Sequence, residues 1–211
     1  AKLKAGDVKF VDRNGDGVIN TGDNTVDKPG DRYIIGNSLP RYSYSFRGDI
    51  DWYGFNLSVF FQGIGHCDWV PPKNCSYFWS LYGFPASSFV PTDFESKTWT
   101  EDRRNAYFPR RRGYSTYSGA ALGVNTDRYL QNAAYIRLKN ITLGYTIPVK
   151  QNKAVEKIRI YATGENLWYW SPMKRNSKYI DPEVATSSSN QSDDCIYPFS
   201  RTVSLGIDIT F

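Results

Sequence analysis

Five stretches of this chain alternate apolar and polar side chains with a period of two, and the connections between them alternate short and long. In residues 41–50, Tyr42, Tyr44, Phe46, Gly48 and Ile50 fall on one face and Arg41, Ser43, Ser45, Arg47 and Asp49 on the other. Such a period belongs to a strand with one apolar face. In residues 55–62, Phe55, Leu57, Val59 and Phe61 oppose Asn56, Ser58, Phe60 and Gln62, after a turn at Asp51–Gly54. Two alternating runs around a short Gly-containing turn predict a hairpin. Residues 135–147 carry a change of parity: Ile136 and Leu138 share one, while Ile141, Leu143, Tyr145 and Ile147 share the other. A bulge near Lys139-Asn140 would absorb that shift. Pro148 ends the run. Residues 157–167 set Ile158, Ile160, Ala162 and Gly164 against Arg159, Tyr161, Thr163 and Glu165. Residues 201–211 set Val203, Leu205, Ile207, Ile209 and Phe211 against Thr202, Ser204, Gly206, Asp208 and Thr210.

The turns at 51–54 and 148–156 are short, whereas the connections 64–131 and 168–199 are long, and so is the segment 1–36 before the first strand. All short turns therefore fall at one end of the strands. Outer-membrane barrels are built this way, and a strand of roughly ten residues tilted near 45° spans their bilayer. The mean hydropathy of −0.52 and the lack of a long apolar run exclude a transmembrane helix. They leave a barrel open, because alternating strands average out as polar. Arg47, Asp49, Arg159, Glu165 and Asp208 lie opposite the apolar faces, as a wet interior requires and a packed sandwich core does not. No helix stands out in the pattern. An aromatic, Phe211, closes the last alternating strand, a signature read by barrel-assembly machinery in outer-membrane proteins.

The charge of +5 is mild. Arg103-Arg104 and Arg110–Arg112 come without a nucleic-acid motif and read as loop residues making local contacts, so no nucleic-acid partner is expected. Three cysteines, an odd number, exclude a dense disulfide framework, although Cys67 and Cys75 could pair in an oxidising compartment; Cys195 is the third. A single histidine, His66, excludes His-based triads beyond that one position. Glu95, Glu101, Glu165 and Glu183 are available for a glycosidase pair, but nothing in their context marks any two of them. The chain is not expected to be an enzyme.

The sharpest local motif runs from Asp12 to Asp23. Asp12, Asn14 and Asp16 supply oxygens at alternate places, Gly17 sits where a calcium loop turns sharply, Val18 offers its carbonyl, Asn20 stands at the ninth position and Asp23 at the twelfth. Hard Ca2+ takes such an all-oxygen set. Asp23 is shorter than the usual Glu, no flanking helices are evident, and an Asx-rich turn without metal reads the same residues. A Ca2+ bound here would stiffen a loop, with an affinity in the weak range of roughly 0.1–1 mM.

Several pieces together resemble the C-terminal part of the SusC/RagA family of TonB-dependent transporters. They are Gly6–Asp12 running into Asn14–Gly17; Ile35-Gly36-Asn37 with Pro40; Gly54–Gly63; Tyr135–Tyr145; Ile158–Tyr161 with Glu165-Asn166-Leu167; Asp181-Pro182-Glu183; and Tyr197-Pro198 before the last strand. The resemblance implies an all-β, antiparallel transmembrane β-barrel segment, about the last five strands of a 22-stranded barrel with a plugged lumen and long extracellular loops. It implies import of oligosaccharides, or peptides, across the Gram-negative outer membrane, together with a SusD-like surface lipoprotein and energy from TonB. The other partners implied are the plug, the remaining barrel strands and outer-membrane lipid. With no plug, TonB box or leader in the sequence, the chain is expected to be one piece of a longer transporter.

On that topology the expected division is an extracellular loop with the acidic motif at 1–36, a hairpin at 37–63, an extracellular loop at 64–131, a hairpin at 132–167, an extracellular loop at 168–199 and a C-terminal strand at 200–211. Trp69, Trp79 and Trp99 are candidates for stacking on cargo, with loop packing as the alternative. Trp168 and Trp170, expected just past a strand end, suit the membrane-interface belt. The competing architecture is a soluble, calcium-stabilised carbohydrate-binding β-sandwich.

Overall fold

The structure is a computed structural model that describes residues 3–86, 89–117, 120–149, 155–187 and 198–211. The chain forms two compact units. One holds the chain up to Asn37 together with Val70–Leu130; the other holds Ser38–Trp69, the chain from Gln131 and the C-terminal strand.

The second unit is a single antiparallel sheet. Its strands are β1 (Ser43–Trp52), β2 (Phe55–Ile64), β5 (Tyr135–Ile147), β6 (Lys157–Trp170) and β7 (Thr202–Thr210), in the order β1-β2-β5-β6-β7. A small ladder joins β3 (Asp68–Trp69) to β4 (Gln131–Asn132). Every neighbour in the main sheet is also the next long strand in the chain, a meander. The β1–β2 turn is just Tyr53-Gly54, both with positive φ, which Gly54 adopts without steric cost.

The register turns five alternating sequences into two uniform faces. Across the sheet, Ile50, Leu57, Leu143, Ala162 and Leu205 stand in one row, and Gly48, Val59, Ile141, Gly164 and Val203 in the next. At the short-turn end the same face carries Trp52, Phe55, Tyr145, Ile160 and Ile207. At the other end it carries Phe46, Phe61, Leu138 and Trp168, then Tyr44, Gly63, Ile136 and Trp170. The parity change in β5 is absorbed as the sequence implies. Phe60 pairs with Asn140 and Phe61 with Leu138, so Lys139 is the extra residue and both apolar sets keep one face.

The opposite face is polar. Its rows include Asp49, Ser58, Thr142, Thr163 and Ser204, and Asp51, Asn56, Gly144, Tyr161 and Gly206. Arg47 pairs with Asp49 at 2.9 Å, Arg159 reaches Asp208 at 3.5 Å, and the Thr142 and Thr163 hydroxyls meet at 3.1 Å.

Among the described residues no second sheet covers the apolar face. Phe46 is 64% exposed, Ile50 62%, Leu205 83% and Ile207 65%. A sandwich would bury those positions between stacked sheets about 10 Å apart, and the described residues form no such pair. No described helix is long and apolar enough to cross a membrane.

Two expectations are corrected. Trp168 and Trp170 do not lie past the strand; β6 continues through them, beyond an irregularity at Asn166, whose φ is +52°. Short helices also occur where none was expected: α1 (Ser76–Trp79), α2 (Phe94–Lys97) and α3 (Pro182–Ser187). They are one or two turns long, too short to leave a 3.6-residue hydrophobic period.

The first unit has little regular structure but a dense aromatic core. Phe78, Trp79, Tyr82, Phe94, Phe108 and Tyr129 are all buried. Phe108 stacks on Tyr129 and Tyr82, with ring centroids at 6.0 and 5.7 Å, and meets Phe78 and Trp79 edge-on. The segments 1–37 and 70–130, separate in the sequence division, fold as one body.

Candidate functional site

Three groups of residues carry possible chemistry: the acidic loop, the cleft beside it, and the polar face of the sheet.

The acidic loop is wound around its own oxygens. The two carboxylate oxygens of Asp12 accept the N–H groups of Gly15 (2.7 Å) and Gly17 (2.8 Å). Asn14 accepts from the Asp16 N–H, Asp16 from the Val18 N–H, and Asn20 from the Gly22 N–H. These are Asx turns in series, and Gly15 and Gly17, both with positive φ, let the chain curl. Asp23, at the twelfth place, instead pairs with Lys28 at 3.3 Å. No group of three or more His, Cys, Asp or Glu is arranged to hold a metal among the described residues. The first half of the loop thus has the curl of a cation loop, while its closing carboxylate faces a lysine.

Asp31 completes this loop, and the sequence pattern did not include it. It accepts the N–H groups of Arg13 and Asn20, both at 2.7 Å. Those bonds, that from Arg13 first, hold its pKa below the usual carboxylate value. It lies outside the twelve-residue spacing, so the motif could not flag it.

The cleft, of about 1380 Å³, is lined within the first unit by residues including Phe10, Arg13, Tyr33, Lys73, Trp99 and Arg128. Its carboxylates are already engaged. Asp7 takes Arg110 at 2.5 Å and Arg112 at 3.4 Å, and hydrogen bonding from Arg110 lowers its pKa. Asp127 accepts the Tyr33 hydroxyl at 2.8 Å, which raises the pKa of that phenol.

Of the tryptophan candidates, Trp99 lines this cleft and is half-buried. Trp79 is 3% exposed in the aromatic core and donates its indole N–H to the Pro72 carbonyl at 2.9 Å. Trp69, on β3, is also 3% exposed. Trp69 and Trp79 are therefore packed inside their own units, and Trp99 alone of the three borders open space. Cys67 and Cys75 are buried and not joined in a disulfide, and Cys195 lies outside the described residues. Burial raises the pKa of the Cys67 thiol.

On the polar face at the long-connection end, Arg137 is 1% exposed. Its guanidinium meets Asp181, and Lys139 meets Glu183 at 2.6 Å. Spacing alone did not mark these residues as a group, since Arg137 and Asp181 stand 44 positions apart.

No family model matches the chain. It is 27% identical, over 98% of its own length, to the TonB-dependent receptor P26 of Formosa agariphila. It is 26% identical, over 96%, to the TonB-dependent receptor SusC of Bacteroides thetaiotaomicron. The resemblance to SusC/RagA-type TonB-dependent receptors holds along nearly the whole chain. The chain spans about a fifth of the length of these relatives: 20% of P26 and 17% of SusC. Among solved structures, the RagAB peptide transporter superposes with a TM-score of 0.60 at 22% identity, covering 84% of this chain and 18% of that one. The closed-closed state of the RagAB peptide importer gives 0.59 at 21% identity over 93% of this chain. These superpositions establish a shared fold for the segment.

Proposed function

We propose that this chain is wall and external loops of an outer-membrane β-barrel that imports oligosaccharides or peptides, working with a SusD-like surface lipoprotein and driven by TonB. One observation carries the reading: an uncovered apolar face with aliphatic rows in the middle and aromatic rows at both ends. Trp52, Phe55 and Tyr145 mark one end; Tyr44, Trp168 and Trp170 mark the other. Water would not tolerate so large an apolar surface, whereas lipid requires it, and aromatic girdles belong at the two interfaces. From Tyr44 to Trp52 is about 27 Å along the strand, which tilted spans most of an apolar band of about 25 Å.

The polar face then lines the barrel interior. The short turn Tyr53-Gly54 is periplasmic, and the acidic loop and long connections are external, where cargo and lipoprotein arrive. Five strands leave two open edges, so the activity belongs to the whole transporter. The similar proteins are named receptors, and the similar solved structure a peptide transporter. The test is fractionation of the whole protein. It should reside in the outer membrane, resist SDS until heated, and co-purify with a surface lipoprotein. A protein recovered from the aqueous fraction as a monodisperse monomer would defeat the reading. Growth of a deletion strain on oligosaccharides against peptides separates the two cargo classes.

We also propose that the Asp12–Asp23 loop takes Ca2+ as a stiffening ion. Asp12, Asn14, Asp16, the Val18 carbonyl and Asn20 would hold it, and Asp23 would exchange Lys28 for the cation. The curl of the loop supports this; the Asp23–Lys28 pair weighs against it. Millimolar Ca2+ should slow proteolysis of this segment in the whole transporter, and Asp12→Ala should remove the effect. Equal proteolysis with Ca2+ and with chelator removes the metal from the reading.

A further inference from the structure

Two motifs of the chain that spacing leaves unrelated meet in one buried ionic group. Arg137 and Lys139 come from β5; Asp181 and Glu183 come from the segment that leads into and begins α3. One guanidinium nitrogen of Arg137 donates to both oxygens of Asp181, at 2.5 and 2.6 Å. Its Nε lies 2.8 Å from Glu183 Oε2, a charge contact whose angle is not that of a hydrogen bond. Lys139 reaches the other oxygen of Glu183 at 2.6 Å. The guanidinium also faces the ring of Tyr169, its neighbour across the sheet, at 4.7 Å. Two cations and two anions meet in the group, and the Lys174 ammonium, seated on the same Tyr169 ring at 3.6 Å, lies close enough to feel Arg137 and Asp181.

The register puts Arg137 in a row with Gln62 and Tyr169 on the polar face, at the end away from the short turns. The segment it grips does not stand out into solvent. Met173 is 1% exposed, Ile180 3% and Ala185 2%. The Ser171 hydroxyl accepts the Met173 N–H, and Asp181 accepts the Glu183 N–H, so the ends of this segment are also shaped locally.

We infer that Arg137 is the positioning residue of an inward-folded loop: its grip on Asp181 and Glu183 fixes residues 171–187 against the polar face as a permanent narrowing of the channel. The inference rests on reading that face as the barrel interior. A charge with no partner at 1% exposure is costly, and removing one member of a buried pair strands the other. Losing Arg137 therefore leaves Asp181 buried without its cation, and the loop relieves this by coming off the wall. The Lys139–Glu183 pair also spans 44 residues, but it leaves the Asp181 carboxylate without a cation.

The loop carries its own reporters, because Lys174, Arg175 and Lys178 have exposed side chains on a held backbone. In the whole transporter extracted in detergent, Arg137→Met should keep the SDS-resistant, heat-modifiable band. Trypsin should then cut after Lys174, Arg175 or Lys178 about ten-fold faster or more than in the parent. Arg137→Lys keeps the charge without the two-pronged grip and should fall between. A generally loosened barrel would not be rescued in that graded way. An unchanged cutting rate in a folded Arg137→Met protein overturns the inference. If that variant fails to fold, Asp181→Asn with Glu183→Gln tests the same grip from the loop side: faster cutting supports it, and parental cutting overturns it. A parent protein without a heat-modifiable band sinks the barrel reading, while the comparison of cutting rates still decides whether Arg137 holds the loop.

Discussion

The two units of this chain place the same kinds of side chain in opposite environments. In the first, Phe78, Trp79 and Phe108 are inside, at 2%, 3% and 4% exposure. In the sheet, Phe46, Trp52 and Trp170 are outside, at 64%, 67% and 56%. Composition cannot distinguish them, but periodicity can. The sheet aromatics recur on alternate residues, and cross-strand register gathers them on one face. Those of the first unit follow no period and are gathered by loops. The first unit is a water-type core holding a loop body together; the sheet is inverted, with its greasy side turned to whatever solvent surrounds it.

The largest expected effect lies in the first unit. Phe108 touches the rings of Phe78, Trp79, Tyr82, Phe94 and Tyr129, so its removal opens a cavity at the centre of the cluster. Phe108→Ala should cost about 3–5 kcal/mol of local stability. Amide exchange across residues 70–130 of the whole transporter should speed up accordingly, while the ladder of β5 and β6 keeps its protection. Loosening of both together would mean that the two environments are not independent.

A somewhat smaller effect belongs to the apolar face. Leu205 sits in the middle row and is 83% exposed within this chain. If lipid covers it, Leu205→Arg costs about 2–4 kcal/mol, measured by denaturant titration of the transporter folded in bilayers. If water covers it, the same change stays within about 0.5 kcal/mol. Brominated lipids sharpen the test. They should quench Trp168 and Trp170 and leave the buried Trp79 unaffected.

Much of the sheet was legible in the sequence because alternation is a local property. The faces, the five strands and the parity change at Lys139 could all be read from neighbours two residues apart. The continuation of β6 through Trp170 was not, because Asn166 with its positive φ interrupts the pairing there. The aromatic hub at Phe108 was invisible for another reason. Its partners come from distant loop segments, and no period links Phe78, Phe94 and Tyr129. Arg137 and Asp181 could each be picked out only by resemblance, and their pairing depends on how a loop returns to a strand. In the acidic loop the spacing marked Asp12, Asn14 and Asp16, whose oxygens shape the turn, but not Asp31, which takes two further backbone N–H groups from beyond the motif.

The smallest effect tests the ionic edge of the first unit, where the contrast with the sheet should fade. Asp7 joins the start of the chain to Arg110, and the Arg110 N–H donates to the Gly6 carbonyl at 2.8 Å. Hydrogen bonding from Arg110 lowers the Asp7 pKa from its ordinary value of 3.8, so the folded form binds this proton more weakly than the unfolded form. The stabilisation is complete above the unfolded value and fades as pH falls below it through the lowered folded pKa. Asp7→Asn should cost about 1 kcal/mol near neutral pH, since the pair is partly open to solvent and screened. The variant should also lose the acid dependence that the parent shows below about pH 4. Trypsin cutting after Arg110 and Arg112, compared at neutral pH, reads the first effect, and pepsin cutting of the same segment at low pH reads the second. A parent whose segment is as open at pH 7 as at pH 3 would show that aromatic packing alone holds this unit, with the Asp7 pair contributing nothing.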